Sequence, residues 1–372
     1  MVNFGFLSSY SDAFNISNSL VIIILLIWRR GYIFVPKNSV YKITIINIIL
    51  LSSLITPFLF NLKLDLLRFL YSLIALNLMF MSVIQVLPFF YESKIKETAK
   101  SSAFISFSSL VIMLIFILTI KNRYSINHYL GFTEISHFAL CSAPLFLFSF
   151  YYQKNHKIRM TFIALIILVG VFTPNLSMLM LIPLFYLIKL NFKSLFYFLL
   201  LLPLAYYLNS TAYFQLRLST AFGSEENLQN LSGLVFIQGW EFCLAILNKG
   251  FFWGIGFQQM GLTNILWSDT SYLIEQIAGQ GLSVKDGSFF FSKLFVEFGI
   301  IIILILFLFL FWYIRLLLSN SILTSQKIFF LASSNALIFI LFIRGMGYFN
   351  FGVFWALLFL MYHNNKSIQN VQ

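Results

Sequence analysis

The chain has 372 residues, of which 60% are hydrophobic and 10% charged, with 47 Phe and a mean hydropathy of +0.90. No single water-soluble core hides that much apolar surface, so a soluble globular enzyme is excluded and an integral membrane protein is implied. The net charge of +12 comes from basic residues scattered singly between apolar runs. That distribution reads as topological bias and attraction to anionic headgroups, not as a nucleic-acid surface.

In chain order, the apolar runs predict an all-α polytopic helix bundle of about eleven transmembrane spans (ten to twelve), most long enough to cross roughly 30 Å of hydrocarbon. The first is expected at about Ile16 to Trp28, the second at Tyr41 to Phe60, the third at Leu66 to Tyr91 and the fourth at Ala103 to Ile120. The fifth follows at Glu134 to Tyr152, the sixth at Ile158 to Phe172, the seventh at Leu176 to Leu190 and the eighth at Leu195 to Tyr213. A polar interval from Asn209 to Ser288 then precedes the ninth at Phe289 to Leu317, the tenth at Ile328 to Ile343 and the eleventh at Phe349 to Tyr362. Residues 1–372 thus read as a single membrane domain with one large loop at 209–288. No internal repeat suggests an inverted-repeat transporter. The first apolar segment lacks a small-residue cleavage site and is expected to stay in the mature protein.

Short loops rich in Lys and Arg stay cytoplasmic. One side of the predicted topology collects fifteen of the 24 basic residues, among them Arg29, Arg30, Lys94, Lys96, Lys100, Lys154, Lys157, Arg159 and Arg315. The other holds Lys63, Arg68, Lys121, Arg123, Arg217, Lys249, Lys285, Lys293 and Arg344. The large loop is therefore expected to face outward, with the N-terminus outside and the C-terminus inside. Loops that long between elements are commonly functional.

Within the loop, Leu234 to Asn248 reads as an amphipathic helix: Leu234, Val235, Ile237, Trp240, Leu244 and Leu247 recur near helical spacing, Gln238 and Glu241 form a polar side, and Gly250 is a stop. It lies along the membrane interface or packs as a local core beneath the loop. Cys141 and Cys243 fall in different settings, so no disulfide framework is expected. His156 and His363 fall on the cytoplasmic side, and His128 and His137 near the outer face lack a Cys or carboxylate cluster at ligand spacing, so no metal and no cofactor is expected. Gly254-Ile-Gly256, continuing to Gly261, lacks the preceding strand that a nucleotide fingerprint requires and reads as a turn.

Charged groups near spans are costly and are paired, snorkelling or functional. On the outer side the acids are Glu134, Glu241, Asp269, Glu275, Asp286 and Glu297, and the bases Arg123, Arg217, Lys249, Lys285, Lys293 and Arg344. Such a set meets the needs of a reaction on a lipid-linked diphosphate. Fixed cations hold the diphosphate as it leaves, and a carboxylate or imidazole takes the proton of an attacking hydroxyl.

Three patches carry a resemblance. Gly131-Phe-Thr-Glu134-Ile-Ser-His137-Phe-Ala139 resembles the entry to a span in bacterial O-antigen polymerases, the Wzy family, with Ile135 in place of the usual Pro. Ser232-Gly-Leu-Val-Phe-Ile-Gln238-Gly239-Trp240-Glu241, followed by Gly254-Ile-Gly256-Phe-Gln-Gln-Met-Gly261, resembles their outer loop. Asp286-Gly287-Ser288, leading to Lys293-Leu-Phe-Val-Glu297-Phe-Gly299-Ile300, resembles the loop exit of the O-antigen polymerase and ligase superfamily. In the ligases a His often stands near the position of Asp286, so the identity of the base stays open.

The resemblance implies an inner-membrane glycosyltransferase for lipopolysaccharide polysaccharide, with its large loop in the periplasm. It would move a glycan from undecaprenyl diphosphate to a lipid-linked repeat unit, with a chain-length regulator protein as a possible partner and no nucleotide sugar or metal. For such a reaction we expect diphosphate binding by Arg217 and Arg344, assisted by Arg123 or Lys293. Glu134 or Asp286 is then the base or acceptor-orienting group, with His137 in reserve. The alternatives are an O-antigen ligase, a polysaccharide flippase or transporter, and an accessory membrane protein.

Overall fold

The computed structural model describes residues 18–20, 22–24, 27, 37–87, 92–119, 135–173, 175–187, 231–262, 266–318, 325–343 and 347–364. The predicted first span is described only in part. The eighth, and the start of the polar interval up to residue 230, lie outside the described residues.

Among the described residues regular structure is helical, without strands. In chain order the helices are α1 (Lys37–Ser52), α2 (Ile55–Leu59), α3 (Leu66–Val86), α4 (Glu92–Thr119), α5 (Ile135–Tyr152), α6 (His156–Phe172), α7 (Leu176–Leu179) and α8 (Leu181–Tyr186). They continue with α9 (Leu231–Asn248), α10 (Asp269–Ala278), α11 (Phe290–Phe298), α12 (Ile300–Leu318), α13 (Ser325–Phe342) and α14 (Phe351–Asn364). By length and composition, five stretches among the described residues are able to cross a membrane: Ser39–Leu59, Leu66–Val86, Glu97–Thr119, Leu231–Asn248 and Ile300–Leu318. The helix Leu231–Asn248 falls inside the interval expected to be an outer loop.

The surface of α12 shows why lipid is the fitting solvent. Leu304, Phe307, Leu308, Phe311 and Trp312 are exposed, and only Tyr313 and Leu317 are buried. An apolar face of that extent is a liability in water and normal in hydrocarbon.

The centre of the bundle is α5, which packs on α13 and α14 with α4 and α6 behind it. Between lipid-solvated helices the gain comes from close packing and interhelical hydrogen bonds, because tails are as apolar as leucine. Ala332, Ser333, Ser334, Asn335 and Ala336 of α13 are all fully buried. Small side chains there let backbones approach, and Ser333 Oγ donates to Ala356 O of α14 at 2.5 Å. Aromatic stacking fills the remaining volume, with Phe148 on Phe329 at 4.2 Å and Phe150 on Phe185 at 4.5 Å between centroids.

One side chain joins four elements. Asn335 accepts from Tyr313 Oη of α12, and its Nδ2 donates to Tyr151 Oη of α5 at 2.5 Å and to Leu187 O at 3.0 Å. Tyr151 Oη in turn donates to Leu184 O of α8. Both ends of the amide are satisfied, as a buried polar group in a lipid-facing bundle requires.

The break between α1 and α2 has a local cause. Pro57 has no N–H to return to the carbonyl of Ser53, four residues back, so the helical ladder is interrupted there. The opened turn is used: Ser53 Oγ accepts from Phe257 N at 2.9 Å, which draws the segment after α9 into the bundle.

Candidate functional site

The site grows from α11, a nine-residue helix fixed at both ends. At its C-terminus, Ile255 N donates to Val296 O at 2.9 Å and Gly256 N to Glu297 O at 3.0 Å. Gly254 has φ of +79° and lies so close that an added Cβ would come within 2.4 Å of the Glu297 carbonyl. Only glycine fits there, both for conformation and for space. At its N-terminus, Phe289 lies against α9 at Gly239, where an added Cβ would meet the ring at 2.6 Å. Ser292 Oγ donates to Gly239 O at 2.8 Å. Gly254 and Gly256 thus meet the backbone of α11 at Glu297, and Gly239 meets the side chains of Phe289 and Ser292 at its start.

α11 presents Lys293 and Glu297 one turn apart on one face. Lys293 Nζ stands 3.5 Å from Glu297 Oε1 and 3.9 Å from Asp286 Oδ1, and donates to Lys285 O at 2.5 Å. The Lys293 and Glu297 side chains are 1% and 0% exposed, whereas that of Asp286 is 62% exposed. Burial of the two charges is tolerable because each faces the other. Tyr348 Oη donates to Glu297 Oε2 at 2.6 Å, and its ring centroid is 5.4 Å from Lys293 Nζ. Burial pushes the Tyr348 hydroxyl well above its ordinary value, the nearby Glu297 pushes it the same way, and Arg68 pulls it partly back.

Polar capacity is left over at this place. Glu297 Oε1 and, in the loop before α11, Ser288 Oγ are buried and have no hydrogen-bond partner among the described residues; the same holds on α9 for Gln238 Oε1. Glu297 Oε1 has the ionic contact with Lys293 and nothing shorter. Beyond Tyr348 the polarity ends. An apolar crevice of about 250 Å³ opens there, walled by α1 and α3 on one side and α11 to α14 on the other, with Ile46, Leu76, Phe257, Phe298, Ile302 and Val353 in its lining. Phe257 stands at the head of this crevice in edge contact with Phe69 and Tyr348, at 5.9 and 5.1 Å.

Of the expected site residues, Asp286 and Lys293 are brought together. His137 is half-buried in the first turn of α5, on a different helix. Glu134, Arg123, Arg217 and Arg344 lie outside the described residues. Lys293 differs from a free phosphate ligand in being buried and already engaged by a carbonyl and two carboxylates, so it fixes the loop that carries Asp286. Glu241 is likewise engaged: it accepts from Ser268 Oγ at 2.5 Å and Thr270 Oγ1 at 2.7 Å, which ties α10 to α9. Asp269 and Glu275 are exposed on α10.

The expected helix at 234–248 is present as α9, but its buried line is Leu234, Gln238, Phe242 and Ile246. Trp240, Leu244 and Leu247 are exposed, and Gln238 is buried because Ser271 of α10 accepts from its Nε2 at 3.0 Å. The two-faced helix of this region is α10, with Ser271 and Ile274 buried and Tyr272 and Glu275 exposed.

Two contributors were not signalled by type or spacing. Tyr348 closes the acid cluster, and Arg68 docks the segment after α9 through Nη1 to Met260 O at 2.9 Å and Nη2 to Gln258 Oε1 at 3.2 Å. The only sequence signal for Arg68 was its place on the outer side of the charge count. Among the described residues no group of three or more His, Cys, Asp or Glu side chains is arranged to hold a metal. Comparisons with protein-family models, with curated proteins and with solved structures each find no match.

Proposed function

We propose that the protein is a membrane glycosyltransferase that elongates a polysaccharide, taking the glycan from a polyprenyl diphosphate and passing it to a lipid-linked repeat unit. The observation that carries this reading is the meeting of two environments. A charged, partly unsatisfied cluster of Asp286, Lys293, Glu297 and Tyr348 stands at the head of a wholly apolar crevice. That pairing suits an amphiphile with a polar head and a long hydrocarbon tail.

In the proposed reaction, the acceptor hydroxyl attacks the anomeric carbon, the bond from that carbon to the diphosphate oxygen breaks, and the hydroxyl proton passes to a carboxylate. Asp286, exposed and held near Lys293, is the first choice of base or acceptor-orienting group. Glu134 is the second, and His137 is the reserve. The leaving diphosphate carries the departing charge, and Arg217 and Arg344, assisted by Arg123, are assigned to hold it. Lys293 takes a positioning role in this scheme. Arg344 lies three residues before Gly347 in the chain, and a Cβ on Gly347 would be 3.4 Å from Asp286 Oδ1, which favours its share in the site.

The test is a deletion strain complemented with Arg217→Ala, Arg344→Ala, Glu134→Gln or Asp286→Asn at matched membrane levels, with glycan chain length read on gels. Lipid-bound glycan stopping at one repeat is expected for the arginine variants and for at least one of the acids. Wild-type ladders in all four overturn the assignment, and loss of all attachment to the lipid core would make the protein a ligase instead.

A further inference from the structure

A second cavity lies where α5 ends and α6 begins, against the middle of α4. Its volume is about 240 Å³, far more than one water occupies. Ala103, Phe104 and Phe107 of α4 form one wall, Phe150 of α5 the back, and Ile158 and Phe162 of α6 the other wall. Ser149, Gln153 and Arg159 line it as well, so the polar groups come from the end of α5 and the start of α6. The Arg159 guanidinium is held over the Phe150 ring at 4.3 Å from the centroid, which fixes a cation at the edge of an apolar hole.

We infer that this cavity binds an anionic phospholipid, with one acyl chain between α4 and α6 and its phosphate at Arg159. Three observations select that occupant. The rim is apolar and open, with Phe104 74% exposed and Ile158 44% exposed, in a helical stretch suited to lipid. The polar end is basic: Lys100 lies on the same face of α4 as Ala103, Phe104 and Phe107, Lys154 is exposed in the turn between α5 and α6, and Lys157 is exposed in the first turn of α6. Glu97, one turn before Lys100, is the acidic neighbour and is outnumbered by these cations. A hydrocarbon slot closed by fixed cations matches a lipid with a charged head and repays little to a zwitterionic one. The basic end is also the side that the Lys and Arg count assigns to the cytoplasm, the leaflet in which anionic headgroups face positive loops. The site is separate from the Lys293 to Glu297 cluster and does not depend on the activity proposed there.

The test uses the full-length protein, purified and returned to nanodiscs of phosphatidylcholine with or without phosphatidylglycerol. Thermal unfolding and native mass spectrometry read stability and retained lipid. Phosphatidylglycerol should be retained preferentially and raise the Tm. Lys100→Gln with Arg159→Gln should cut that preference by about tenfold, the scale of attraction from basic side chains near an anionic surface. Ala103→Trp, which fills the slot and leaves the cations, should lower retention of both lipids. Glycerophosphoglycerol, the headgroup without chains, should give no stabilisation. Equal retention of the two lipids by the wild type, an unchanged preference in the charge variant, or full stabilisation by the chainless headgroup each overturns the proposal. If the double variant does not fold, Ala103→Trp and the headgroup control still decide it, because undiminished lipid retention by Ala103→Trp also overturns the proposal.

Discussion

Two of the buried polar clusters among the described residues, those around Asn335 and Lys293, are built on opposite terms. Around Asn335 every group is neutral and both ends of the amide are used, by Tyr313, Tyr151 and the carbonyl of Leu187. Around Lys293 the groups are charged, one carboxylate oxygen of Glu297 lacks a hydrogen bond among the described residues, and Asp286 reaches out to solvent. The Asn335 amide consumes its own hydrogen-bonding capacity and so holds helices together, while the neighbouring Ser334 Oγ is buried without a partner among the described residues. The Lys293 cluster keeps capacity in hand next to an apolar crevice, which is what a site for an amphiphile needs.

The contrast is sharpest in the response to losing one partner. Lys293→Met should destabilise by about 3 to 5 kcal/mol, because Glu297 is left as an uncompensated buried charge. Lys293→Met with Glu297→Leu should recover most of that loss. Unfolding of the two single variants and the double in mild detergent gives the coupling directly, and simply additive losses would remove the distinction between the clusters. Asn335→Ala should cost less, about 1 to 2 kcal/mol, since only neutral hydrogen bonds are lost and neighbours in the bundle partly replace them. At matched protein levels its glycan ladder should be of wild-type length; a shortened ladder would place function in the neutral cluster too. Asp286→Asn should be nearly silent in stability, under about 0.5 kcal/mol, because the side chain is largely solvated. Its elongation rate should nevertheless fall by about 10² or more when the carboxylate serves as base, which a radiolabelled repeat-unit assay would measure.

The helical, lipid-solvated character of the chain was legible from hydropathy alone, since the length of an apolar run and the thickness of a bilayer are tied by simple geometry. Lys293 and Glu297 were both visible as costly outer charges, and their spacing of four places them on one helical face. Tyr348 was not visible. It reaches Glu297 from a segment fifty-one residues away, and a single Tyr among 18 has no local mark that distinguishes it. Gln238 misled for a related reason: polarity suggests an outward face, but its partner Ser271 is brought to it by α10, a tertiary contact that periodicity along α9 does not encode. The proline break at Ser53 to Pro57 could be located in the sequence, whereas its use as a socket for Phe257 required the fold.

The wall of the crevice below Tyr348 offers a guest no hydrogen bond to break as it moves. A hydrocarbon chain in such a sleeve is gripped by shape and has no preferred notch along its length. Sliding by one carbon then costs little, as with a rod in an oiled bearing. Under the function proposed above, a carrier lipid would advance or withdraw freely in that sleeve, and the charged cluster near Tyr348 would decide where it stops.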